Sequence, residues 1–77
     1  MKEFLEFVVK GLVDHPDEVA VTPVDRNGMT VYELQVGEGD AGKVIGRRGS
    51  TIQTIRSLLQ VAAQKKGQRC TLDLVED

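Results

Sequence analysis

Gly42-Lys43-Val44-Ile45-Gly46-Arg47-Arg48-Gly49-Ser50 is the stretch on which the reading of this 77-residue chain turns. Two glycines three apart bracket two arginines, with an apolar pair just before and a long helical pattern just after. Glycine admits positive φ and close approach of another backbone, so two of them permit a tight loop between two helical segments. The arginines at its tip are permanently charged planar donors, suited to phosphate. Bare backbone at the edges and guanidinium groups at the apex make a loop built to receive a polyanion.

Charge patterning points the same way, although the net charge is only −2. Residues 1–40 carry three basic and nine acidic side chains. Residues 41–72 carry seven basic ones (Lys43, Arg47, Arg48, Arg56, Lys65, Lys66, Arg69) and no acid, and residues 73–77 add three acids. Local potential governs polyanion binding more than the total does.

Outward from the loop, the helix opening at Ser50 or Thr51, either of which can cap it, runs to about Lys66. Ile52, Ile55, Leu58, Leu59, Ala62 and Ala63 share one face, and Val61 stands apart. Lys65-Lys66-Gly67 closes it with cations on the dipole and then glycine. Before the loop, Asp40 is positioned to cap a short helix over 41–45. Residues 29–36 alternate as a half-buried strand, preceded by Asn27-Gly28, the strongest short hairpin signal. Residues 19–24 read as a strand placed at a sheet edge, or cut short, by Pro23. Residues 2–13 read as a helix on Phe4, Leu5, Val8, Val9 and Leu12, stopped at Asp14-His15-Pro16, with Phe7 and Val13 off its arc. Cys70 to Leu74 alternate as a last strand. The order α-β-β-α-α-β gives an α+β domain over 1–77, a three-stranded sheet with three helices on one face.

The chemistry-bearing residues outside the loop read as structural. His15 has no second His, Cys or Ser beside it and is a turn residue. Tyr32 packs, and Cys70, on the apolar face of its strand, is an inert buried thiol. One Cys and one His are too few for a zinc site within the chain, and a lone Cys suits a reducing compartment. The sequence has no apolar run of membrane-spanning length and no secretory pattern at its start, so the expectation is a cytoplasmic protein. Two nucleotide motifs overlap the loop and fail in context. Gly37-x-Gly39-x-x-Gly42 matches a dinucleotide fingerprint, but no acid lies between Asp40 and Asp73 to hold a ribose. Gly37-x-x-x-x-Gly42-Lys43 matches a Walker loop until Val44 stands where Ser or Thr would hold magnesium. No enzyme and no cofactor is expected.

Gly46-Arg47-Arg48-Gly49 behind Val44-Ile45, followed by Ile52 and Ile55 in that element order, resembles the type II KH domain, whose GXXG loop clamps about four nucleotides. Leu12-Val13-Asp14-His15-Pro16-Asp17-Glu18-Val19 and Ile55-Arg56-Ser57-Leu58-Leu59 extend the resemblance to the small single-KH RNA-binding proteins of bacteria, across nearly the whole chain. It implies single-stranded RNA as ligand, with Arg47 and Arg48 on phosphates beside Gly46, Gly49 and Ser50. Val44, Ile45 and Ile52 would form an apolar floor, with strand 29–36 as the opposite wall, and Lys43 and Arg56 would widen the footprint. It also implies a homodimer, or pairing with the larger KH protein KhpB (Jag), and a role in RNA regulation or chaperoning linked to cell elongation and division. Aromatic residues are only 4 % of the chain, which suits a groove working through aliphatic contact. The rival reading is a protein–protein adaptor, drawn from the spare apolar residues Phe7, Val13 and Val61.

Overall fold

A computed structural model describes residues 1–75; the last two acids of the tail lie outside the described residues. The elements are α1 (Lys2–Lys10), β1 (Ala20–Arg26), β2 (Met29–Gln35), α2 (Ala41–Ile45), α3 (Ser50–Lys65) and β3 (Cys70–Leu74). Short 3-10 turns sit at Pro16–Glu18 and Arg47–Gly49. The sheet order is β1-β2-β3, with β1 antiparallel and β3 parallel to β2. This is the expected α+β order.

Register and alternation together decide where the helices lie. Val21 pairs with Leu34, and Tyr32 with Leu72, so these side chains share one face of the sheet. All four are buried in a single cluster with Cys70, with Leu5 and Val9 of α1, Val44 of α2, and Ile52, Ile55, Leu59 and Ala63 of α3. All three helices therefore cover the same face. Val31, paired with Val24 and Thr71, points to the other face and lies outside that cluster. Tyr32 packs as expected, and burial pushes its hydroxyl pKa up.

Two boundaries differ from the sequence reading. α1 stops at Lys10, not at 13, because Gly11 caps it and Leu12 N–H turns back to Val9 O at 2.9 Å. β1 runs on through Pro23 to Arg26; at the edge of the sheet a missing donor does not interrupt a ladder. Asn27 and Gly28, both at positive φ, make the tight turn that the Asn-Gly pair announced.

Candidate nucleic-acid interface

α2 is one turn long, and Gly46 ends it with φ +75° and ψ −180°, a conformation essentially restricted to glycine. A Cβ at Gly46 would also press on Thr51, including its backbone nitrogen at 2.9 Å. Gly46 is therefore obligatory on two independent grounds. Arg48 follows at φ 58°, ψ 27°, a left-handed conformation costly for a residue with a side chain, and Gly49 repeats it at φ 74°. Nothing lies within 4 Å of a Cβ at Gly49, so only its backbone angle favours glycine. The result is a tight turn, closed by Gly49 N–H to Gly46 O at 3.2 Å, with both arginines exposed.

The amino end of α3 opens directly from this turn. Neither Ser50 nor Thr51 caps it: Gly49 occupies the cap position and no side chain accepts from the first-turn amides. The Thr51 side chain abuts Gly46 instead, and Ser50 already lies inside the helix, its carbonyl accepting from Thr54 Oγ1 at 2.9 Å. Ser50 N–H turns back to Arg47 O, but the amides that follow it have no side-chain cap, and they and the positive end of the helix dipole stand next to two guanidinium groups that form no ion pair among the described residues. That combination suits an anion.

The apolar floor is narrower than expected. Val44 is 0 % exposed and Ile52 only 7 %, because both belong to the core beneath the loop. Ile45 is the member of the set whose side chain is partly accessible. The second wall also shifts. β2 is the central strand, with a neighbour on each side, while α3 packs beside the edge strand β3. Arg56 spans that seam, its Nε donating to Leu72 O at 3.1 Å, so part of its hydrogen-bonding capacity is spent within the protein. Lys65, Lys66 and Arg69 do not join the site. They lie at the far end of α3, about 20 Å from the loop by helix rise.

Lys43 is not free either. Its ammonium pairs with the Asp14 carboxylate, which raises its pKa. Beside it lies a cluster that sequence reasoning missed. Asp40 is 1 % exposed and does not cap α2. Its carboxylate instead accepts from His15 N–H at 2.9 Å, His15 Nδ1 at 3.1 Å and Asp14 N–H at 3.3 Å. Burial alone would push the Asp40 carboxyl up, but the His15 side chain and the two backbone donors outweigh it and hold it low. His15 is raised in turn, first by its hydrogen bond to Asp40 and then by the Asp40, Glu18 and Asp14 charges. His15 is thus more than a turn residue, and its partner lies 25 residues away in sequence.

Comparison with known proteins bears on the family of the chain. A family profile described as the KhpA/KhpB KH domain matches residues 2–74. The chain is 44 % identical over 77 residues to the RNA-binding protein KhpA of Chlamydia muridarum, covering all of this chain and 99 % of that one. It is 42 % identical to the RNA-binding protein KhpA of Borreliella burgdorferi, over 96 % of this chain and 90 % of the other. To that of Listeria monocytogenes it is 36 % identical, over 99 % of this chain and the whole of the relative.

Proposed function

The chain belongs to the KhpA/KhpB KH-domain family, and from that premise we propose that it binds single-stranded RNA, with Gly46-Arg47-Arg48-Gly49 as the clamp. The observation carrying this reading is the pair of exposed, unpaired arginines held by a left-handed turn against an uncapped helix amino end. Phosphates lie over Arg47, Arg48 and the first amides of α3, where Gly49 and Ser50 present bare or small surfaces. Ile45 offers an aliphatic contact to a base, and about four nucleotides fill the groove beside β3. The role is binding, not catalysis.

Four nucleotides on so few charges imply an affinity of roughly micromolar for one domain, so pairing two domains raises it through effective concentration. The partner is a second copy or the larger KH protein KhpB (Jag). Phe7 on α1, 80 % exposed, and Leu58 and Val61 on the outer side of α3 offer apolar surface for that contact. We further propose that it works in the cytoplasm as an RNA regulator or chaperone linked to cell elongation and division, a reading supported by the resemblance.

Fluorescence anisotropy with short single-stranded RNA tests the clamp, comparing wild type with the Arg47→Asp/Arg48→Asp variant at two salt concentrations. The variant keeps its circular dichroism spectrum and loses binding by roughly tenfold or more, and wild-type binding weakens with salt. Equal binding by both proteins would move the RNA site elsewhere. The same exposed apolar residues support a second reading, a dimerisation adaptor for which RNA is incidental. An adaptor keeps its partner and its phenotype when the two arginines are reversed.

A further inference from the structure

The Asp14-His15 turn and the glycine loop lie at opposite ends of α2, and only the turn is fastened by a buried charge. Asp40 immediately precedes α2, and Lys43 N–H donates to Asp40 O at 3.0 Å, which starts the helix. Gly46 N–H then donates to Gly42 O at 2.9 Å, so the loop begins less than two helical turns from Asp40. The turn is seated as well as bonded. A Cβ at Gly37 would come within 3.0 Å of His15 Cβ and closer still to the Glu18 carboxylate, so a bare glycine makes room for the base of the His15 side chain and for Glu18. The charged groups around that ring are Asp40 ahead of α2, Lys43 on α2, Asp14 in the same turn and Glu18 in the 3-10 turn.

We propose that the Asp14-His15 turn, held by Asp40, is a positioning element for the glycine loop, and that it loosens when His15 loses its proton, so that RNA binding weakens as pH rises. This role rests on the RNA reading above and extends it to regulation. Protonated His15 gives Asp40 a charge-assisted hydrogen bond, and the neutral ring gives at most an ordinary one. Three carboxylates face the ring and favour the proton, while Lys43, the one cation of the cluster among the described residues, is already paired with Asp14. The folded pKa lies above the ordinary value of 6.5. The added hold is therefore complete below that value and lost as pH rises through the folded one. His15 is half-exposed, so solvent screens the pair and the effect is graded.

The test uses the whole chain and His15→Gln, which keeps a polar group and lies at the surface. Hydrogen–deuterium exchange over residues 41–46 reads the brace without RNA, and anisotropy with short single-stranded RNA reads the coupling. At about pH 6 the wild type should exchange more slowly and bind more tightly than the variant, each by about threefold, and both ratios should approach one by about pH 8.5. Comparing the two proteins at the same pH cancels the intrinsic pH dependence of exchange. Ratios that stay flat with pH while wild type binds RNA overturn the proposal and leave the clamp standing. Failure of the wild type to bind at any pH overturns the RNA reading itself, and the coupling with it.

Discussion

The two ends of α2 solve opposite problems. At its amino end, donors meet a carboxylate within the chain: Asp40 collects two backbone amides and an imidazole, and Asp14 takes the Lys43 ammonium. At its carboxyl end the chain leaves donors over. Arg47 and Arg48 have no ion pair among the described residues, and the amides opening α3 have no side-chain cap. A buried polar group must be satisfied or the fold loses stability, whereas exposed, unmatched donors cost little and remain available to a ligand. The closed end holds the open end in place. Substitutions at the two ends should accordingly separate stability from binding.

The largest expected effect breaks the open end by geometry, not by charge. Gly46→Ala meets both a forbidden backbone region and the Thr51 side chain, and should cost about 3 kcal/mol of folding stability. Gly49→Ala has open space around it and should cost only about 1 kcal/mol. Urea unfolding of the two variants reads the difference directly. Equal costs would mean that the loop relaxes around Gly46, and that its glycines serve only the ligand.

At the closed end, Asp40→Asn exchanges a buried triple acceptor for an amide whose NH2 faces donors. The melting temperature should fall by roughly 5 °C or more. The pH dependence has a definite sign. The Asp40 pKa is depressed, so its contribution is present above the ordinary value of 3.8 and lost as pH falls through the folded one. The gap between wild type and variant should close in acid. A gap that persists there would show that shape, and not the charge of Asp40, holds the turn.

The contrast also explains what could be read from the sequence. Local signals gave the loop, because glycine spacing, an apolar pair and a helical period lie within about a dozen residues of one another. Asn27-Gly28 and Pro23 were legible for the same reason: each acts through its own backbone. The groove was harder. Val44 and Ile52 are apolar next to the loop whether they face a ligand or the core, and only their burial in the common core cluster decides. The cation count failed similarly, since a tally by segment ignores that α3 carries Lys65 and Lys66 to its far end. The Asp40 cluster left no local trace. Ahead of a helix an aspartate reads as a cap, and nothing near residue 40 announces that a turn 25 residues earlier will take its carboxylate.

Lys43 is where the two ends compete, and it gives the smallest but sharpest prediction. Its side chain stands on α2, the helix that leads into the loop, and in the free protein it pairs with Asp14. Both groups are partly exposed, so the pair is worth little and a phosphate can displace the carboxylate. Asp14→Asn removes the competitor without touching the arginines and should tighten RNA binding by about twofold to threefold, with a slightly steeper salt dependence. Lys43→Gln should do the reverse and make the salt slope shallower by about one. If Lys43→Gln changes neither affinity nor slope, Lys43 belongs wholly to the closed end. The footprint then shrinks to Arg47, Arg48 and the first amides of α3, and the boundary between brace and binding surface falls at Ile45.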